Sequence, residues 1–254
     1  MRRFTLAPDR VDGDRVTFDR DETRHMRAVL RLGPGDVVVA GDGRGHDYTV
    51  RVEALGETAT GTIVGAAASP AEPPLAVTLV QGVPKGDKME LIVRAVTELG
   101  VARVWPALTE RTIVRLEPSR WRERARRWQR VAREACKQSG RAVVPDVELP
   151  RPIGDWLAEA RHELRLCLWE GQAPPLAVVL AAATRPPTTV AVLVGPEGGL
   201  ARREVDAARA AGWSPASLGP RILRTETAGP AIIAILQHAF GDLGARRRAP
   251  GADG

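Results

Sequence analysis

Cysteine is nearly missing from this chain: Cys136 and Cys167 are the two in 254 residues. They lie far apart and outside any CxxC context. That excludes a disulfide framework and a thiolate metal site as organising features, and two free thiols fit a reducing compartment. Histidine is also sparse. His25, His46, His162 and His238 are scattered without ligand spacing or acidic neighbours, so no metal is expected. No apolar run reaches the ~18 residues of a membrane span, and no contact with a membrane is expected. Met1–Arg10 carries charge but no apolar stretch of signal-peptide length, which favours the cytoplasm. Aromatic residues make up only 4% of the chain, and lysine occurs only at positions 85, 88 and 137.

Apolar residues, at 44%, suffice for an ordinary core. Lys and Arg number 37 against 31 acidic residues, a formal charge of +6 carried almost wholly by arginine. Arginine forks pair with phosphate oxygens, so a phosphate-rich partner is one reading. Arginine alongside much alanine and proline also fits a GC-rich coding sequence, and charge alone leaves the two open.

Residues 1 to 66 read as short strands and turns: Arg2–Leu6, Arg15–Phe18, Asp36–Ala40, Asp47–Glu53 and Thr60–Val64, with a turn at Gly41-Asp42-Gly43. One helix, about Asp21–Leu30, interrupts them, capped by Asp21 or the residue before it. This pattern suggests a small β-barrel over residues 1–70. A linker is expected at Ala67–Pro74, where Ser69-Pro70 and Pro73-Pro74 leave little to pack.

From Leu75 strands alternate with helices. Strands are expected at Leu75–Val80, Val101–Trp105, Leu164–Trp169, Thr189–Val194 and near Ala216–Leu218. A helix over Asp87–Leu99 has Asp87 and Glu90 at capping-box spacing and buries Met89, Ile92, Val93, Val96 and Leu99. A basic helix, Ser119–Ser139, buries Trp121, Ala125, Trp128, Val131 or Ala132, and Ala135. Further helices run over Ala201–Ala211 and from about Pro230 to Phe240. Such alternation implies an α/β domain over residues 75–244 with a mostly parallel sheet. The tail 245–254 is polar, Gly-rich and expected to be disordered.

Two loops could hold chemistry. The apolar strand Thr189–Val194 runs into Gly195-Pro196-Glu197-Gly198-Gly199 and then a helix, and ligands bind outside the carboxyl ends of parallel strands. Glycine there lets a ligand approach the backbone, although a plain strand–helix turn would look the same. The spacing matches neither a Walker loop nor GxGxxG. The second loop, Leu218-Gly-Pro-Arg-Ile-Leu-Arg-Thr-Glu-Thr-Ala228, packs donors and acceptors before a helix. It suits a polar ligand, and Thr225 or Thr227 could equally cap that helix.

Together these loops resemble the SPOUT superfamily of methyltransferases, and in particular the ribosomal RNA small subunit methyltransferase E family. The likeness runs in order through His25–Gly35, Lys85–Glu90 with Glu98–Val101, Thr109–Arg111, Gln138–Arg141, Gly195–Gly199, Leu218–Ala228 and Phe240–Gly244. It implies an N-terminal PUA-like barrel that binds RNA, a knotted C-terminal SPOUT domain and a homodimer. It also implies methylation of N3 of one uridine in the 16S rRNA of the small subunit, with S-adenosyl-L-methionine as cofactor. The knot rests on the resemblance alone, since threaded chains are rare.

The resemblance further implies that Leu193, Gly195, Pro196, Glu197, Gly198 and Gly199 hold the cofactor with Leu218, Gly219, Ile222, Leu223, Thr225, Glu226, Thr227 and Ala228. Backbone groups of Leu218, Ile222 and Leu223 would read adenine, and Leu193 and Leu223 would give apolar walls. Uridine N3 must lose a proton, and the anion so formed favours a cation. Arg224 is the first candidate for that cation, with a structural pair to Glu226 as the alternative. Glu197 is a candidate base or cofactor contact, or a helix-dipole partner. Arg27, Arg31, Lys85, Arg111, Arg130, Lys137, Gln138 and Arg141 are candidate RNA contacts. Arg94 and Glu98 are expected to form an ordinary surface pair. The chain departs from many relatives at Lys137, from the common residues at Gly229-Pro230, and from some relatives at Trp169-Glu170. A non-catalytic RNA-binding assembly factor would keep the barrel and the basic helix but bind no cofactor. A pseudouridine synthase would need a nucleophilic aspartate, which neither loop offers.

Overall fold

The computed structural model describes residues 3–68 and 72–244. The linker read at Ala67–Pro74 lies partly outside these residues and the tail from Ala245 wholly so. The chain divides into two compact units, Met1–Glu72 with Arg133–Val144, and Pro73–Ala132 with Pro145–Gly254. The first is therefore discontinuous, whereas the sequence reading gave each domain one stretch.

The first unit holds β1 (Arg3–Thr5), β2 (Val11–Asp12), β3 (Arg15–Thr17), α1 (Arg20–Arg24), β4 (Val37–Gly41), β5 (His46–Leu55) and β6 (Ala59–Ala68). They form one six-stranded sheet in the order β1-β4-β5-β6-β3-β2. Pairing is antiparallel except between β1 and β4. Phe4, Leu6, Phe18, Met26, Val38 and Val50 fill its core. Strand β6 reaches Ala68, so Ala67 belongs to a ladder opposite Asp47 and not to a linker. The first helix is capped by Asp19, which accepts from the Glu22 N–H at 2.7 Å, not by Asp21 or Arg20. After Arg24 it widens into a π-turn over His25–Val29. Arg31 follows at φ +52°, a left-handed conformation that non-glycine residues seldom adopt.

The second unit is a seven-stranded sheet. Its strands are β7 (Ala76–Gly82), β8 (Val101–Leu108), β9 (Asp146–Val147), β10 (Arg151–Pro152), β11 (Leu164–Leu168), β12 (Thr189–Val194) and β13 (Ser214–Ala216). The order is β10-β8-β7-β12-β11-β13 with β9 also beside β8, and every pairing is parallel. The helices are α2 (Lys88–Glu98), α3 (Pro118–Ser139, which belongs to the first unit from Arg133 on), α4 (Ile153–Glu159), α5 (Leu176–Ala181), α6 (Arg202–Ala210) and α7 (Thr225–Phe240). Central strands β7 and β12 are buried along nearly their whole length, as a doubly covered parallel sheet requires.

Several local expectations change. Asp87 makes no side-chain cap, and Glu90 turns to Arg127 at 2.7 Å, so the capping box does not form. Leu99 is only half-buried, while Thr97 is buried in the stripe of α2. On α3 the buried member of the Val131/Ala132 pair is Ala132. Among the described residues Arg94 and Glu98 form no ion pair and both are exposed. Helix α7 starts at Thr225, five residues before Pro230, which therefore lies inside it. Gly100, at φ +87°, closes α2; a Cβ there would lie 2.6 Å from Pro73 Cγ. Among the described residues no helix is long and apolar enough to cross a membrane.

Candidate active site

Three loops leave the carboxyl ends of adjacent strands β12, β11 and β13. They are Gly195–Leu200, Trp169–Gly171 and Ser217–Arg224, and with Lys88 they line one cavity of about 470 Å³. That size lies within the ~300–1,000 Å³ of small-ligand sites. The floor is pinned from β7. Gln81 is fully buried and donates through Nε2 to Thr225 Oγ1 at 2.9 Å and to the Gly82 carbonyl at 3.0 Å. Thr225 Oγ1 in turn donates to the Gly195 carbonyl at 2.7 Å, so the start of α7 is tied to the glycine loop. Gly82 makes this approach possible: a Cβ there would lie 2.5 Å from Pro196 Cδ.

The glycine loop closes through Gly199 N–H to the Pro196 carbonyl at 2.9 Å, with Gly199 at φ +69°. A Cβ on Gly199 would also run into Glu170 Oε1. The loop continues into α6, where Glu204 accepts from Ala201 N–H at 2.9 Å and from Glu110 N–H at 2.8 Å.

Charge in the cavity is partly neutralised by Lys88. Its Nζ lies 3.0 Å from Glu197 Oε1 and 3.5 Å from Glu226 Oε2, joining α2 to both loops. Glu197 also accepts from the Lys85 N–H at 3.1 Å. Partial burial would push the Glu197 carboxyl up, but its own backbone N–H, Lys88 and the Lys85 N–H outweigh that and hold it below its usual range. The same carboxylates raise Lys88 above the ordinary lysine value. The side chains of Glu170, Arg221 and Arg224 line the cavity without an ion pair or hydrogen bond among the described residues. The Arg224–Glu226 alternative is thus not realised.

Most of the residues expected at the cofactor meet at this cavity: Gly195, Pro196, Glu197, Gly199, Leu218, Gly219, Ile222, Leu223, Thr225, Glu226 and Ala228, together with the expected catalytic cation Arg224. Three expected there do not. Leu193 points into the core of the sheet and is fully buried, and its neighbour Val194 faces the cavity instead. Gly198 and Thr227 lie outside the lining, with Gly198 covered by Arg111, whose Nη1 donates to its carbonyl at 2.5 Å. Thr225 bridges loops and does not cap α7, whose N-cap residue, Arg224, makes no side-chain cap.

Of the expected RNA contacts, Arg27, Arg31, Lys85, Arg130 and Gln138 are exposed. Arg111 is engaged with the glycine loop. Lys137 is tied to the buried Glu22 at 2.5 Å and to Glu134 at 3.0 Å. Arg141 is buried against Glu72 at 2.7 Å. These last two hold the first unit together and are not open cations. The lining residues that sequence reasoning missed are Lys88, Leu168, Val194, Ala216, Ser217, Pro220 and Arg221, and Trp169-Glu170, noted in the sequence as a departure from relatives, joins them. Among the described residues no group of His, Cys, Asp and Glu could hold a metal ion.

Comparison with known proteins bears on this site. A family model described as an RNA methyltransferase domain matches residues 71–237, and one described as an RNA methyltransferase PUA domain matches residues 18–61. The ribosomal RNA small subunit methyltransferase E of Synechocystis sp. is 34% identical over 229 residues, covering 89% of this chain and 74% of the relative. That of Mycobacterium tuberculosis is 34% identical, covering 94% and 90%. The Neisseria gonorrhoeae enzyme of the same name, solved bound to S-adenosylmethionine, superposes with TM-score 0.86 at 34% identity over 96% of this chain and 99% of that one. A Legionella pneumophila protein described as a methyltransferase, with SAM bound, gives TM-score 0.87 at 30% identity, covering 95% and 99%. Residues 18–61 thus form an N-terminal PUA domain ahead of the α/β domain, and the chain belongs to the ribosomal RNA small subunit methyltransferase E family.

Proposed function

We propose that the chain transfers the methyl group of S-adenosylmethionine to N3 of one uridine in 16S rRNA, within the small ribosomal subunit. The observation that carries this is the meeting of the Gly195–Gly199 and Ser217–Ala228 segments around one cavity, bound together through Gln81 and Thr225. The donor set fits a cationic methyl donor that carries an adenosine. Apolar surface comes from Leu168, Val194, Leu218, Ile222 and Leu223, and a carboxylate from Glu226. Backbone groups of Leu218, Ile222 and Leu223 read the adenine. The methyl donor brings its own leaving group, so the protein's task is to align the attacking nitrogen with the methyl carbon and to stabilise charge. Arg224, exposed at the cavity and unpaired, stabilises the uridine anion. Glu197, held ionised by Lys88, acts as an anchor of the loop and is a poor proton acceptor.

The reading extends to residues 1–70 as the RNA-binding domain and 75–244 as the methyltransferase domain, to a homodimer, and to work in the cytoplasm. It also includes a trefoil knot, which rests on the resemblance. Arg27, Arg31, Lys85, Arg130 and Gln138 meet RNA, as exposed donors suited to phosphate. Titration calorimetry with S-adenosylmethionine tests the core of the reading. Heat and a raised thermal midpoint are expected; no heat and no shift would remove the enzyme.

A further inference from the structure

Transfer to an imide nitrogen needs a proton acceptor, and three carboxylates line the cavity: Glu170, Glu197 and Glu226. Two are already engaged. Glu197 accepts from Lys85 N–H and Lys88 Nζ, and a carboxylate whose lone pairs are taken by cationic and backbone donors accepts a further proton poorly. Glu226 lies 3.5 Å from the same ammonium, and its Oε2 is buried away from the solvent to which a base must pass its proton. Glu170 has no such partner among the described residues and is exposed at the rim.

Its mount is rigid. Trp169 packs against the core of the sheet, with Arg202 and Arg209 at 5.5 and 5.7 Å from its ring. Gly171 leaves room for the indole, since a Cβ there would strike it. Glu170 is thereby laid over Gly199, above the turn that borders the cavity, and Arg224 lines the same space.

We propose that Glu170 is the general base of the reaction, resting on the functional reading above. Its carboxylate takes the N–H proton of the substrate imide as the nitrogen lone pair forms the bond to the methyl carbon. The carbon–sulfur bond breaks with its electron pair on sulfur, and Glu170, now protonated, returns the proton to water. Arg224 balances the charge on the imide while the proton leaves.

The test is Glu170→Gln in the full chain, with small subunits from a strain lacking the gene as substrate. Single-turnover methylation at saturating S-adenosylmethionine is followed from mildly acid to alkaline pH, alongside calorimetry with the methyl donor and the thermal midpoint. Unchanged midpoint and affinity are expected, with a rate at neutral pH lower by about a hundredfold. The deficit should shrink as alkali removes the substrate proton directly. A wild-type rate and pH profile in the variant would overturn the assignment while leaving the enzyme reading intact. Lost affinity with an unchanged saturated rate would also overturn it, making Glu170 a binding contact. A wild-type protein that neither binds the donor nor methylates would overturn both.

Discussion

Lys88 is the side chain on which both cofactor loops converge, and its role follows from having two carboxylates and one charge. Lys88→Met should weaken S-adenosylmethionine binding several-fold by calorimetry while sparing the fold, because the lost contacts lie at a solvent-open rim. The pH dependence has a definite sign. Glu197 is depressed below the usual carboxylate value, so its contribution is present above the ordinary range and is lost as pH falls through the depressed one. Affinity in the wild type should persist into mild acid, and in Lys88→Met it should fall at higher pH. Arg224→Ala should lower turnover more than cofactor affinity, since the cation acts on charge that develops during transfer. Equal affinity with full turnover would remove Arg224 from the mechanism.

At this scale the sequence revealed which loops meet but not which side chains face inward. Strand β12 is buried on both faces, so alternation carries no phase, and Leu193 could not be told from Val194. Lys88, Lys137 and Arg141 were equally illegible in role. Their partners Glu197, Glu22 and Glu72 lie far away in the chain, and charge pairing across such distances leaves no local pattern.

At the scale of elements, the glycine loop is held by backbone conformation and by close packing. Gly199→Ala meets a backbone penalty: the left-handed φ of +69° disfavours a Cβ by roughly 1–2 kcal/mol, while the Glu170 Oε1 that the Cβ would meet is the free end of an exposed side chain that can swing aside. Gly219 has φ +99° and open space around it, so Gly219→Ala should meet the same penalty. Urea unfolding should give similar losses in the two variants; a clearly larger loss in Gly199→Ala would show that Glu170 is fixed over the turn.

Elements with strong signals were legible: β12 spans the expected Thr189–Val194, and α3 begins one residue before expectation. Those without were not. Helices α4 and α5 span only Ile153–Glu159 and Leu176–Ala181, too short for a clear amphipathic period. The start of α7 was displaced by Pro230, a residue that favours first turns yet here sits six positions in, where tertiary anchoring of Thr225 sets the boundary.

For the molecule as a whole, the first unit depends on a buried charge pair between Glu22 and Lys137, of which the lysine is expected from the sequence to meet RNA. Glu22 is 3% exposed and Lys137 25% exposed. Lys137→Met leaves a buried carboxylate without its counter-charge and should destabilise by about 2 kcal/mol, below the ~3–5 typical of fully buried pairs because part of the lysine meets solvent. Burial alone would lower Lys137, but Glu22 and Glu134 together raise it. Its contribution is therefore complete below the ordinary lysine range and lost as pH rises through the raised value, a loss that urea midpoints in alkali would register. RNA affinity should respond differently. Arg130→Ala should reduce the dependence of log affinity on log salt by roughly 0.7–0.9 for the phosphate contact removed, with the unfolding midpoint unchanged.

Methylation of one uridine at N3 in small-subunit RNA is open to mass spectrometry of that RNA from a strain lacking the gene. N3-methyluridine should disappear there and return when the purified chain and S-adenosylmethionine are added to the isolated subunits. Retention of the mark in the deletion strain would rule out this substrate.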